Sequence, residues 1–221
     1  MVDYGLPTER NGLLQQARVE LLSWPLDSSE VDLLTRSIDL AVELTHSQIG
    51  YVHYVNPDQD SIELCTWSTS TADYCTAQYD RHYPISQAGI WADSARLRVP
   101  KVHNDYSSVP AKRGLPAGHA PVLRHLGVPV LQAEAVCLLL GVGNSESPYS
   151  QSDVQIAQTI ADTTWEVVKR LRQHADVRAR LDLLQERQHV VGLTTWEWDP
   201  FINRVTWDSS ANSVVPGFPP H

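Results

Sequence analysis

Side chains that can bind a small molecule are concentrated in residues 82–125. This span holds four of the protein's nine histidines, together with aromatic, Asn and Asp residues. Ligand pockets combine mostly apolar walls with a few directed polar groups, and these side chains provide both. The residue types therefore predict a small-ligand pocket, which we expect to be lined by Tyr83, Trp91, Asp93, Asn104, Asp105, Tyr106 and His119.

The same residues have a second interpretation, in which they hold a loop in place without any ligand. Residues 104–119 contain two prolines and two glycines and form a long predicted loop. A loop of this length in a compact domain is usually functional or disordered. Its backbone groups need side-chain partners wherever they are buried. Bracing of the loop and binding of a ligand are therefore open alternatives at this point.

Metal and thiol chemistry have less support from residue spacing. His103, Asn104 and Asp105 lack a repeated ligand spacing such as HxxxH or CxxC, so we expect no metal site. The three cysteines are odd in number and contain no CxxC, which favours a reducing compartment over a disulfide framework. Cys65 falls in a predicted strand and Cys137 in an apolar run, settings that favour inert burial. The residues identify no particular cofactor.

Charge and motif content exclude several classes of protein. The formal net charge is −9, from 26 acidic and 17 basic residues, and no basic cluster is present to neutralise nucleic-acid phosphates. Nucleotide-binding and kinase signatures such as GxxxxGK[ST], HRD and DFG do not occur. The first residues are polar rather than a signal sequence, and no apolar run approaches the length of a membrane span. We therefore expect a cytoplasmic protein that is not an enzyme.

The pattern of apolar residues predicts an α+β fold. A short helix over residues 13–24 carries one apolar stripe, which either packs on its own domain or forms a dimer seam. A second helix follows an N-cap near Ser29, and strands are expected at 49–55, 61–68, 82–85, 100–103, 125–131 and 135–143, with a helix at 87–97. We predict a central antiparallel sheet of five to six strands with flanking helices.

A long C-terminal helix is expected from about residue 150. Val177, Leu181, Leu184 and Val191 follow the 3-4 spacing of a weak coiled coil. Residues 192–221 then change character, with three tryptophans and two predicted short strands. Some 30 residues are too few for an independent core, which suggests the start of a further domain.

Several short motifs, taken in order, resemble those of GAF domains. They are HYP at 82–84, AGIWAD at 88–93, HNDY at 103–106, GLPAGH at 114–119, VPV at 128–130 and LGVGN at 140–144. The resemblance covers residues 28–172 and is most specific to GAF sensors that precede PAS, histidine-kinase and GGDEF modules in bacteria. Residues 193–207 are similar to the opening of a PAS domain. Ser94 stands where that subgroup commonly has a cysteine, whereas Cys75 matches a family position.

The resemblance implies a sensory input domain of a bacterial signalling protein of the histidine kinase or diguanylate cyclase type. It would bind a small ligand or a partner, relay the signal through its exit helix, and form a homodimer through its N- and C-terminal helices. The alternatives are a dimerisation scaffold with an empty pocket and an enzyme like the GAF-fold methionine sulfoxide reductases. The expected divisions are an N-terminal helix or linker (1–27), the GAF domain (28–172), a helical linker (173–191) and a truncated PAS start (192–221).

Overall fold

The computed structural model describes residues 6–73, 82–109, 121–191 and 196–207. The chain forms two compact units, Met1–Leu171 and Arg172–His221. Within the described ranges, no helix is both long enough and apolar enough to cross a membrane.

A six-stranded antiparallel sheet forms the centre of the first unit. Its strands are β1 (Ile49–Val55), β2 (Ser61–Trp67), β3 (His82–Pro84), β4 (Lys101–His103), β5 (His125–Gln132) and β6 (Ala135–Gly143). The strand order is β3-β2-β1-β6-β5-β4, which places the long strands β1, β6 and β5 side by side. The expected α+β fold with five to six antiparallel strands is confirmed.

Three helices supply the large core on one face of the sheet. They are α1 (Thr8–Leu22), α2 (Glu30–Leu44) and the first part of α4 (Gln151–Val191). Helix α2 begins after the predicted cap, because the Ser29 hydroxyl accepts a hydrogen bond from the Asp32 amide. Ile38, Val52, Leu140 and Ile160 are among the fully buried members of this core.

The apolar stripe of α1 is used within its own unit. Leu14, Ala17 and Leu21 are buried in the large core. Arg10 donates to the Leu44 carbonyl at 2.8 Å and forms an ion pair with Asp153 at 2.5 Å. Of the two interpretations of this stripe, the structure therefore supports packing on the helix's own domain.

The opposite face of the sheet carries a smaller cluster. Val55, Ile62, Ala92 and Leu139 belong to it. It is covered by residues 85–97, which comprise two 3-10 turns (Ile85–Gln87 and Ile90–Ala92) and helix α3 (Asp93–Leu97). We call residues 85–97 the cap segment.

The second unit contains the end of α4 and a hairpin. Val177, Leu181 and Leu184 are each 55% exposed on α4. The hairpin pairs β7 (Trp196–Asp199) with β8 (Arg204–Trp207) in antiparallel register.

Candidate functional site

Two glycines make room for polar side chains on the face of the sheet beneath the cap segment. Gly141 of β6 stands between Tyr51 of β1 and Gly127 of β5 in the strand register. A Cβ atom at Gly141 would lie 2.1 Å from Cζ of Tyr51, so the phenol ring occupies the space of the missing side chain. A Cβ atom at Gly127 would lie 2.9 Å from the Ser94 hydroxyl and 3.0 Å from Cε1 of His125. The absence of both side chains therefore brings Tyr51, Ser94 and His125 over the centre of the sheet.

Tyr51 connects the rings of this face. Its hydroxyl oxygen lies 2.9 Å from Nε2 of His125, and the two rings are nearly parallel with centroids 6.0 Å apart. On its other side, the centroid of the His53 ring lies 4.8 Å away. The alternation of side chains along β1 places Tyr51 and His53 on this face and sends Val52 into the large core.

The cap segment adds an aromatic wall and is held together by one arginine. The Trp91 ring lies 5.1 Å from that of His53 and 6.3 Å from that of Tyr51. Arg96 donates hydrogen bonds to the carbonyls of Ile85 and Gly89 at 2.6 Å and 3.0 Å, and also to the Ala88 carbonyl. These bonds join the two 3-10 turns to α3, so that the segment covers the sheet as one piece.

Three buried polar atoms beneath the cap segment have no hydrogen-bond partner in the described part of the chain. They are Nδ1 of His53, Nδ1 of His125 and Oγ of Ser94. Buried polar atoms in proteins are nearly always paired, because leaving one unpaired costs about 1–3 kcal/mol. Their grouping beside aromatic rings is the feature of this face that points to a ligand.

Burial keeps both histidines uncharged at neutral pH. Desolvation lowers the pKa of His53 to about 4, although hydrogen bonding to the Glu63 backbone opposes the shift. Desolvation also lowers the pKa of His125 to about 3, and repulsion by the neighbouring His103 adds to the effect. Burial raises the pKa of the Tyr51 phenol above its usual range. The described titratable groups in the interior of the site, Tyr51, His53 and His125, are therefore neutral.

Charged groups lie at the edge of the site and are paired. Asp93 Oδ1 accepts a hydrogen bond from Arg96 at 2.7 Å. Nε2 of His103 lies 3.2 Å from Asp93 Oδ2, which is an ion-pair distance without the geometry of a hydrogen bond. The ring centroids of His103 and His125 are 6.2 Å apart, so this edge is continuous with the neutral interior.

Two of the seven predicted site residues lie in this arrangement. Trp91 forms part of its wall and Asp93 its charged edge. Tyr83 is described only through its backbone, which pairs with Ile62 between β3 and β2. His119 lies outside the described residues, as does Cys75.

The other three predicted residues make contacts that hold the loop after β4. Asn104 binds the Tyr149 backbone twice, since its side-chain oxygen accepts from the Tyr149 amide at 2.7 Å and its nitrogen donates to the Tyr149 carbonyl at 3.0 Å. Asp105 accepts hydrogen bonds from the amide and hydroxyl of Ser107, which lower the pKa of the Asp105 carboxyl. The Tyr106 amide donates to the Leu123 carbonyl. These contacts correspond to the alternative of loop bracing.

Tyr51, His53, Ser94 and His125 are not among the residues that the sequence predicts to line the pocket. The predicted strand at 49–55 contains Tyr51 and His53, but the sequence alone assigns neither side chain to a face of the sheet. The alternation of side chains in residues 49–55 could have identified Tyr51 and His53 as site residues. It places the phenol and the imidazole on one face of the strand and the apolar Val52 on the other. The glycines at 127 and 141 were a second signal, because they mark positions in two long strands where another side chain approaches closely.

An open depression lies beside the cap segment but includes none of the predicted residues. Its volume is about 310 Å³, and it is lined by Val55, Gln59, Asp60, Ile85, Ser86, Ala95, Arg96, Arg98 and Val136. Among the described residues, His, Cys, Asp and Glu nowhere form a group of three or more that could hold a metal ion.

Residues 27–169 match the family model described as GAF domain. The chain belongs to the GAF domain family. A relative of this GAF protein, the methyl sulfide methyltransferase-associated sensor of Methanosarcina acetivorans, is 32% identical to it over 132 residues. That match covers 59% of the chain but 13% of the relative, so the chain spans a small part of the relative's length.

Solved structures share the fold of this GAF protein at low sequence identity. The GAF domain of an Acinetobacter phosphoenolpyruvate-protein phosphotransferase matches 77% of the chain and 97% of its own length, with TM-score 0.60 and 15% identity. A free methionine-R-sulfoxide reductase from Neisseria meningitidis, in complex with its substrate, matches 79% of the chain and 98% of its own length, with TM-score 0.59 and 13% identity. At these identities the likeness shows the fold alone.

Proposed function

We propose that this GAF domain is the sensory input domain of a larger signalling protein and binds a small ligand beneath the cap segment. The observation that carries the proposal is a group of buried atoms on His53, Ser94 and His125, beside the rings of Tyr51 and Trp91, that have no partner among the described residues. The relative from Methanosarcina acetivorans is named a sensor, which supports the same class of function. We propose that the larger protein is a cytoplasmic histidine kinase or diguanylate cyclase.

A path for relaying the signal follows from the contacts of Asn104. This residue comes directly after His103, whose ring lies beside His125 and Asp93. Its amide binds both backbone groups of Tyr149, and α4 begins two residues later at Gln151. A ligand that displaces His103 would therefore displace the start of α4. Such a ligand shifts the equilibrium only as far as its affinity differs between the two positions.

The exposed seam of α4 supports a homodimer as the form that passes the signal on. Val177, Leu181 and Leu184 follow coiled-coil spacing and are about half exposed. Parallel pairing with a second copy would place Arg180 of one helix opposite Gln185 of the other, which avoids contact between like charges. The stripe of α1 is already buried in its own domain, so α4 is the helix that we propose for dimerisation.

The domain boundaries given by the sequence are part of the same proposal. We propose that residues 28–172 are the sensor, 173–191 the helical linker and 192–221 the start of a PAS domain, preceded by the N-terminal helix or linker of residues 1–27. The hairpin of β7 and β8 supports the last assignment, because its Trp196 and Trp198 are 60% and 53% exposed and need a larger core to cover them.

Catalysis by this chain is not part of the proposal. A methionine sulfoxide reductase needs a reactive thiolate, and burial raises the pKa of Cys137 to about 11. The sequence has Ser94 rather than a cysteine in the cap segment. Turnover of free methionine sulfoxide by the purified chain would contradict this part of the proposal.

Ligand sensing can be tested by screening small molecules for stabilisation of the chain. We expect at least one compound to raise the melting temperature of the wild-type protein but not of Trp91→Ala. Trp165→Ala is the matched control, because Trp165 lies on α4 and donates to Gln132 outside the site. The compound should also change hydrogen exchange over residues 151–160. If no compound depends on Trp91 for stabilisation, the proposed sensory function is wrong.

A further inference from the structure

The unpartnered atoms beneath the cap segment lie on side chains that are at least nine-tenths buried. The exposed fractions are 9% for His53, 1% for Ser94 and 5% for His125. A buried donor or acceptor without a partner is costly, so these atoms mark positions where a bound molecule gains hydrogen bonds without displacing protein ones. A hydroxyl can donate and accept, and a neutral imidazole nitrogen does one or the other. The group therefore suits a ligand that has both a donor and an acceptor.

The described residues beneath the cap segment offer such a ligand no free charge. The guanidinium of Arg96 in the cap segment is engaged with Asp93 and with the carbonyls of Ile85, Ala88 and Gly89. Asp93 is occupied by Arg96 and lies against His103. His53 and His125 are uncharged at neutral pH, because burial lowers the pKa of each ring. An ion that entered this site would lose its hydration without meeting a counter-charge from the described residues.

Resting on the proposed sensory function, we propose that His53, Ser94 and His125 bind an uncharged molecule that has amide-like hydrogen-bonding groups and an apolar body. Trp91 and Tyr51 provide flat apolar surface for that body. The site discriminates against ions of the same shape, carboxylates and amidinium groups alike. A carboxylate offers acceptors alone and an amidinium donors alone, so each fails on hydrogen bonding as well as on charge.

Three probes of nearly equal shape test this specificity: benzamide, which is neutral, benzoate, which is an anion, and benzamidinium, which is a cation. Each is titrated at pH 7 into the full chain with ¹⁵N-labelled histidine, and the imidazole nitrogen signals are followed by NMR. His53→Phe and His125→Phe assign the signals. We expect benzamide to shift the Nδ1 signals of His53 and His125 with an affinity at least ~10-fold higher than that of either ion. Each ion must lose its hydration without gaining an opposite charge from the described residues.

The Ser94 hydroxyl provides an independent test that does not alter a histidine. Ser94→Ala should fold, because the hydroxyl that it removes has no partner in the described chain. We expect this variant to bind benzamide ~5–10-fold more weakly, the loss of about one hydrogen bond. Ser37→Ala is the matched control, because Ser37 is a buried serine whose hydroxyl donates to Leu33 in the large core. Its affinity for benzamide should equal that of the wild type.

The possible failures separate this inference from the proposed function. If benzoate or benzamidinium shifts the same signals with equal or higher affinity, the charge selectivity is wrong, whereas ligand sensing stands. If none of the probes shifts the two Nδ1 signals at up to ~10 mM, a concentration at which fragments of this size bind their sites, the inference is wrong. Failure of every compound in the wider screen is the separate result that overturns ligand sensing itself.

Discussion

The hydroxyl oxygen of Tyr51 lies 2.9 Å from Nε2 of His125, although β6 separates the strands that carry the two residues. The phenol spans β6 because Gly141 has no side chain at the crossing point. The contact therefore depends on a glycine that is far from both residues in sequence. It connects β1 and β5 on the side of the sheet beneath the cap segment.

Gly141→Ala should destabilise the domain by about 1–3 kcal/mol, the usual range for overpacking a core. The new methyl group would lie 2.1–2.4 Å from three atoms of the Tyr51 side chain, which must move and break its contact with His125. The free energy of unfolding from urea denaturation measures the loss. Equal stability of the variant and the wild type would show that the ring does not occupy this space.

Gly12→Ala is the matched control for this substitution. Gly12 is an exposed residue of α1, and a Cβ atom there would meet nothing within 4 Å. Alanine in a helix is favoured over glycine by about 0.5–1 kcal/mol, so this variant should be more stable than the wild type. The two glycine substitutions should thus change the free energy of unfolding in opposite directions.

Tyr51→Phe should cost about 1–3 kcal/mol of stability, because it leaves Nε2 of the buried His125 without its partner. Tyr54→Phe is the control on the same strand. The Tyr54 hydroxyl donates to Glu30 at 2.7 Å on the other face, where Glu30 is partly exposed and water can replace the phenol. We expect Tyr54→Phe to lose less stability than Tyr51→Phe, as measured by the free energy of unfolding in urea. A larger loss for Tyr54→Phe would contradict the importance of the Tyr51–His125 contact.

The two buried histidines make stability depend on pH. Their pKa values in the folded protein are lowered to about 4 for His53 and about 3 for His125, from 6.5. Below about pH 6.5 the unfolded chain therefore binds protons at these histidines that the folded chain does not. The histidines do not reduce the free energy of unfolding above about pH 6.5, and the free energy of unfolding falls as the pH decreases toward 4. Each histidine contributes up to about 1.4 kcal/mol per pH unit in this window.

His125→Phe tests this dependence through its slope rather than through absolute stability. The free energy of unfolding, measured between about pH 6.5 and 4.5, should fall less steeply with decreasing pH in the variant, by up to about 1.4 kcal/mol per pH unit. His46→Gln, which removes an exposed imidazole, is the matched control. An unchanged slope in His125→Phe would mean that His125 does not resist protonation in the folded state.

The strands and helices of the first unit could be predicted because local patterns determine them. Ser29 caps a helix whose buried residues recur at helical spacing, and residues 135–143 form a strand from a continuous apolar run. The site was harder to predict, because it depends on register between strands. Tyr51 meets His125 only through Gly141, and nothing in the local sequence around residue 51 specifies which residue of β6 lies opposite.

The predicted binding residues after β4 show why residue type alone is insufficient. Asn104 and Asp105 have the hydrogen-bonding groups of a ligand site, but a loop also needs such groups for its own backbone. Asn104 binds the backbone of Tyr149, a contact 45 residues distant in sequence. Only the tertiary structure shows that this side chain is already engaged, whereas Nδ1 of His53 has no partner in the described chain.

Asn104→Ala should loosen the start of α4. The substitution removes both hydrogen bonds to the Tyr149 backbone, and we expect a loss of about 1–2 kcal/mol in stability. Hydrogen exchange over residues 149–156 should become faster. Asn56→Ala, which removes a hydrogen bond to Ser61 in the turn between β1 and β2, should leave exchange in this segment unchanged. Equal exchange in both variants would contradict the proposed path from the site to α4.

Leu181→Lys should convert the proposed homodimer to monomers. Leu181 and Leu183 are exposed to similar extents, 55% and 46%, but only Leu181 shares a seam with Val177 and Leu184. A lysine in the seam would have to bury its charge against a second copy of the helix, which strongly weakens association. Light scattering should therefore give the mass of a monomer for Leu181→Lys and the mass of a dimer for the wild type and for Leu183→Lys, whose side chain points away from the seam. A monomeric wild type at high concentration would contradict dimerisation through α4, and equal dissociation of both variants would place the contact on a different face of the helix.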